Sequence, residues 1–158
     1  MSEHIKAGDR APDFELPATT SDSVRLSDGL SAGPVLVLFY PLDWSPVCTS
    51  ELCSMKSDFD DFAGLGAKVL AISVDSIFSH KAFAARHGIS IPLLSDFNKT
   101  VAQAYGVLYP ELMGLKGVAK RSAFVLDAKG IVRWAWVSED PLQLPDFAEI
   151  KKQIEALR

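Results

Sequence analysis

The chain has 158 residues and a formal net charge of −4, with 48% of its residues hydrophobic and 23% charged. That length supports a packed core without help from metals or disulfides, the composition is not that of a disordered chain, and no apolar run nears the roughly 20 residues that cross a bilayer. The acidic balance and scattered Lys and Arg offer no footprint for nucleic acid, and the polar residues 1–10 lack the apolar centre of a signal peptide, so the cytoplasm is the expected compartment.

No repeat, low-complexity stretch or linker interrupts residues 1–158, which read as a single domain. Residues 35–40 (VLVLFY) form a continuous apolar run, the pattern of a strand buried on both faces. Residues 68–74 (KVLAISV) form a second. Between them, residues 46–62 carry helical periodicity, with Val47, Leu52, Met55, Phe59 and Phe62 as the apolar positions. A strand–helix–strand unit of this kind crosses over right-handed and makes its two strands parallel. Helices are expected at 79–87, with Gly88 to cap the end, and at 99–105. Residues 123–127 and 131–137 flank Ala128-Lys129-Gly130 as a hairpin, and 147–157 close the chain as an amphipathic helix. This order predicts an α/β protein of thioredoxin-like fold, a mixed central sheet with helices on both faces.

The two cysteines, Cys48 and Cys53, lie in one short segment. In a chain that can build its own core, that points to redox or metal chemistry rather than a disulfide framework. His4, His80 and His87 have no spacing that completes a tetrahedral metal site, so no metal or other cofactor is expected. Ser45 followed by Pro46 is a strong helix start, a hydroxyl cap before proline at the first helical position. It puts Cys48 in the first turn, beyond the end of a buried strand, where ligands gather in open α/β sheets. Unpaired N–H groups and the positive end of the helix favour a thiolate there. From these residues alone a buried, inert cysteine stays open, since free Cys is among the most buried residue types. Trp134 and Trp136, two apart on a strand, read as packing residues, and His80, near a helix start, and His87, near its C-terminus where a cation complements the dipole, read as structural.

Pro41-x-x-x-Ser45-x-x-Cys48 resembles the peroxiredoxin signature Pro-x-x-x-Thr/Ser-x-x-Cys, and Thr49 and Glu51 continue it. The likeness extends to residues 8–14 (GDRAPDF), 73–76 (SVDS) and 120–127 (KRSAFVLD), in order along nearly the whole chain. Trp44, Ser45 and Pro46 depart from the commoner family residues; serine loses the threonine methyl but keeps the oxygen. The resemblance implies that Cys48 attacks a hydroperoxide and becomes a sulfenic acid. It also implies that the Ser45 hydroxyl holds the peroxide and that Arg121 steadies both thiolate and leaving oxygen. Pro41 would then shelter the sulfur and Glu51 orient Arg121. Ser45 as a cap alone, and Arg121 as a surface residue, are the plainer alternatives.

Within the family the chain is most similar to the bacterioferritin-comigratory, or peroxiredoxin Q, kind, with Cys53 as resolving cysteine. The alternative is a one-Cys enzyme resembling alkyl hydroperoxide reductase E, with Cys53 structural. No cysteine follows Cys53 to serve the typical two-Cys scheme, and the Cys-x-x-Cys of a thiol–disulfide oxidoreductase is absent. The resemblance further implies hydrogen peroxide or an organic hydroperoxide as substrate, thioredoxin or a similar dithiol as reductant, and a monomer or homodimer. One geometric condition follows. Residues five apart in an ideal helix sit about 140° round the axis with Cα atoms roughly 8.7 Å apart. A disulfide needs them within about 7 Å. A Cys48–Cys53 bond therefore requires the first turn to unwind.

Overall fold

The computed structural model describes residues 4–54 and 56–157, without the side chains of Ser57 and Phe59. Of the apolar helix positions expected, Met55 and the side chain of Phe59 lie outside what is described. The central sheet has five strands in the order β5-β4-β3-β6-β7. These are β3 (Val35–Phe39), β4 (Lys68–Ser73), β5 (Leu93–Ser95), β6 (Ser122–Leu126) and β7 (Val132–Val137). β3 runs parallel to β4 and antiparallel to β6, so the sheet is mixed, as expected. A separate two-stranded sheet, β1 (Glu15–Pro17) with β2 (Ser23–Arg25), precedes it and leads into α1 (Leu26–Leu30).

Every residue of β3 is buried, because the strand is covered on both faces. Its side chains alternate between two cores, as the two-residue period of a strand requires. Val35, Val37 and Phe39 join Phe14, Leu26 and Tyr105 on one face. Leu36, Leu38 and Tyr40 join Cys48, Leu52, Phe62, Phe83 and Ile150 on the other. The first core is closed by α1 and α5 (Thr100–Tyr105), the second by α2 (Pro46–Ser54), α3 (Lys56–Gly64), α4 (Ile77–His87) and α6 (Phe147–Glu155).

The helix ends follow their local chemistry. α4 begins at Ile77, two residues before the expected start, because the Ser76 hydroxyl accepts the Ser79 N–H at 3.2 Å and caps it there. It ends at Gly88, whose φ of 65° is the left-handed cap conformation. α5 begins one residue late: Lys99 is left-handed, and the Asp96 carboxylate accepts the Val101 and Ala102 N–H groups instead. The hairpin turn closes through Gly130 at φ 80°, with a register shift at Val125/Leu126. The register that matters for function is that of β3 on β6. Phe39 stands opposite Ser122, so the residue just before β6 lies beside the end of β3, where α2 starts.

Candidate active site

The segment from β3 into α2 turns sharply. Trp44 sits at φ 71°, a strained conformation for a bulky residue. The Ser45 hydroxyl then accepts the Cys48 N–H at 3.4 Å and donates to the Leu42 carbonyl at 3.2 Å, while the Ser45 carbonyl accepts from Thr49. Ser45 is thus the cap that its pairing with Pro46 foretold, and its bond to the Cys48 amide ties the hydroxyl to the first turn.

Cys48 is fully buried, and Arg121 and Glu51 are each only 1% exposed. Arg121 reaches Cys48 from the start of β6, with Nη2 donating to Sγ at 3.0 Å. Its Nη1 donates to Glu51 Oε1 at 3.2 Å, and its Nε to the Pro141 carbonyl at 3.1 Å. Glu51 is three residues beyond Cys48 and so on the same helical face. A buried arginine with three distinct acceptors is held in one orientation, its charge directed at the sulfur. Glu51 Oε2 is buried without a partner among the described residues. Burial pushes the Glu51 carboxyl up to about 7 even though Arg121 pulls it down.

The other expected residues fall around this core. Pro41 is buried directly after Tyr40. Cys53 is half-buried in the same helix as Cys48, and both thiols are free. Both lie in helical residues, so the unwinding condition stands. Arg121 is no surface arginine; it is the largest fully buried side chain. A groove of about 400 Å³ lies elsewhere, between the β1–β2 turn and α4, and neither Cys48, Glu51 nor Arg121 lines it.

One cluster had no counterpart in the sequence reading. Asp43, 5% exposed, accepts from Tyr40 Oη at 2.6 Å and Ser79 Oγ at 2.8 Å, and lies 2.7 Å from His80 Nδ1. The second ring nitrogen of His80 lies 3.1 Å from the Leu94 carbonyl. The Asp43 N–H donates to Asp75, which also accepts from Ser73. Tyr40 keeps its proton, its pKa driven well above the ordinary value by burial and by Asp43. Burial also raises the Asp75 carboxyl. The ligand atoms of Asp43, Asp75 and His80 lie within 4.8 Å of one another, but the carboxylates are engaged with protein donors in a network that pins the loop before Cys48. His80, read from sequence as a structural residue near a helix start, belongs to this polar network. The available signal was an acidic residue between a strand and a helix cap, which names no partner.

Comparison with known proteins agrees with this arrangement. Residues 7–135 match the model of the AhpC/TSA family. The chain is 36% identical over 151 residues to Peroxiredoxin-2 of Mus musculus, covering 89% of this chain and 74% of the mouse protein. Among solved structures it resembles the peroxidoxin BcpB of Mycobacterium tuberculosis, with a TM-score of 0.87, 36% identity and coverage of 98% and 99% of the two chains. It also resembles a PrxQ of Xylella fastidiosa, with a TM-score of 0.85, 27% identity and 98% coverage of each chain. These likenesses match the Q-like subgroup and the thioredoxin-like fold. The chain belongs to the AhpC/TSA family of peroxiredoxins, which are thiol-dependent peroxidases.

Proposed function

We propose that the chain reduces hydrogen peroxide or an organic hydroperoxide at Cys48, that Cys53 resolves the product, and that thioredoxin or a similar dithiol protein regenerates the enzyme. The observation that carries this reading is Arg121 Nη2 at 3.0 Å from Cys48 Sγ in a buried site. The Cys48 thiolate attacks one peroxide oxygen; an S–O bond forms, the O–O bond breaks, and the other oxygen leaves and takes a proton. Arg121 stabilises the anion before the step and the leaving oxygen during it. The Ser45 hydroxyl exchanges its Leu42 carbonyl for the peroxide, Pro41 limits water at the sulfur, and Glu51 steadies Arg121. Because Cys48 is fully buried, the side chains around it must part to admit substrate.

Resolution then unwinds the first turn of α2. The N–H groups of the first turn have no intrahelical partner, so that end opens with the least loss of ladder hydrogen bonds. Cys53 attacks the sulfenic sulfur, water leaves, and a disulfide forms that a dithiol reduces by exchange. Such a cycle suits a reducing compartment such as the cytoplasm. The half-buried position of Cys53 within α2 is the observation that favours the one-Cys alternative. Peroxide titration of the reduced protein with intact-mass readout separates the two. Wild type is expected to lose two hydrogens, reversibly with dithiothreitol, and Cys53→Ser to gain oxygen on Cys48. A wild-type protein that stops at the sulfenic acid establishes the one-Cys scheme, and one that ignores peroxide removes the peroxidase assignment.

A further inference from the structure

Arg121 is the one cation that the described residues place on both Cys48 and Glu51. Each of those two groups can carry a negative charge, and all three side chains are buried. A thiolate and a carboxylate together would leave the cluster with one uncompensated negative charge, which burial strongly disfavours. Glu51 Oε2 has no donor among the described residues, so a second ionised oxygen there would go unsupported, whereas a protonated carboxyl removes the charge.

We propose that Glu51 is the proton store of the site, holding a proton while Cys48 is a thiolate and giving it up when Cys48 is oxidised. The inference rests on the reading of Cys48 as the peroxide-reducing thiolate. In the reaction the sulfur's electron pair forms the S–O bond, the O–O bond breaks, and the leaving oxygen is protonated. Cys48–S⁻, ROOH and Glu51–COOH become Cys48–SOH, ROH and Glu51–COO⁻. Arg121 faces one anion before the step and one anion after it, so the buried charge never changes.

Direction and environment agree. Burial lifts the Glu51 carboxyl to about 7 against the pull of Arg121. A thiolate on the same guanidinium pushes it further the same way, and loss of that thiolate lets it fall back. The charged group facing Glu51 from the start of β6 is Arg121, and Cys48 meets the same guanidinium from α2. Tyr109, from the segment before β6, also senses Arg121, but its own pKa is raised by burial and it stays neutral.

The test counts protons in a Cys53→Ser background, where oxidation stops at Cys48. Reduced protein in weak buffer near pH 8 receives one equivalent of hydrogen peroxide, and an indicator dye reports proton uptake; this pH lies above the value of about 7 for a carboxyl paired with Arg121 alone. Close to no uptake is expected with Glu51 present. Adding Glu51→Gln, whose amide oxygen still accepts from Arg121, should bring uptake to about one proton per Cys48 oxidised, the proton of a hydroxide leaving group. A residue that merely orients Arg121 would leave the count unchanged. Infrared difference spectra of Cys53→Ser alone should show a protonated carboxyl band lost on oxidation, a readout that survives if the double variant fails to fold. Equal proton uptake in both proteins, or no such band, overturns the proposal while intact mass still shows oxygen on Cys48. Absence of that oxygen overturns the peroxidase reading, and this inference with it.

Discussion

A guanidinium can hold three acceptors at fixed angles, and an ammonium cannot. Arg121 uses that property, meeting Cys48, Glu51 and the Pro141 carbonyl at once. Arg121→Ala is expected to slow peroxide reduction by about a hundredfold to a thousandfold, the usual loss when a preorganised donor to a developing oxyanion is removed. Stopped-flow measurement of the second-order rate checks it, and an unchanged rate would take Arg121 out of the chemistry. Ser45 carries a second, separable prediction. Ser45→Ala removes the cap on the Cys48 amide and should cost about 1 kcal/mol in denaturant unfolding. It should also slow peroxide reduction, whereas Ser45→Thr keeps the oxygen and should preserve both stability and rate.

The elements differ in how plainly the residues announce them. β3 is written in the apolar run 35–40, whose first five residues it takes, and α2 in Ser45-Pro46, because each rests on local chemistry. β1, β2 and α1 are too short, at three, three and five residues, for a period to develop, and they passed unread. At the site, Cys48, Ser45, Pro41, Glu51 and Arg121 were reached through the helix start and the family motif. The Asp43–His80 pair was not, since its members lie 37 residues apart and nothing local joins them. That pair holds the turn into α2. His80→Ala leaves the buried Asp43 carboxylate one hydrogen-bond partner short, a change that costs about 1–3 kcal/mol, measurable by denaturant midpoint. Trp44 lies in the same turn, its ring 5.1 Å from Phe83. If α2 unwinds to form the disulfide, a Trp134→Phe, Trp136→Phe protein should change its fluorescence in the resolving step. Cys53→Ser should remove that phase.

Across the molecule, buried carboxyls decide how stability responds to pH. The folded state raises Glu51 from 4.5 to about 7. A group raised on folding contributes stability below its unfolded value, and that contribution is lost as pH rises through the folded one. Glu51 should therefore weaken the protein between about pH 4.5 and 7, by on the order of 3 kcal/mol at the high end. Asp75 and Asp96, raised by burial, act in the same direction, while Asp13 and Asp127, lowered by their hydrogen bonds, act oppositely at more acid pH. Denaturant midpoints measured from pH 5 to 8 should fall for wild type and fall much less for Glu51→Gln. Parallel profiles would show that folding does not raise the Glu51 carboxyl above its unfolded value.

The pairing of β3 with β6 also has a consequence in time. Cys48 and Arg121 are 73 positions apart, and the strand that delivers the guanidinium joins the sheet only after most of the chain exists. During vectorial synthesis Cys48 leaves the ribosome long before Arg121 does, so the nascent chain carries the thiol without its guanidinium contact. On the proposed role of Arg121, activation is a late event of folding, and a half-made or truncated polypeptide would be spared the oxidation that the finished enzyme undergoes. A chain stopped before Arg121 should react with peroxide no faster than a free cysteine, and restoring the missing segment should switch the reactivity on.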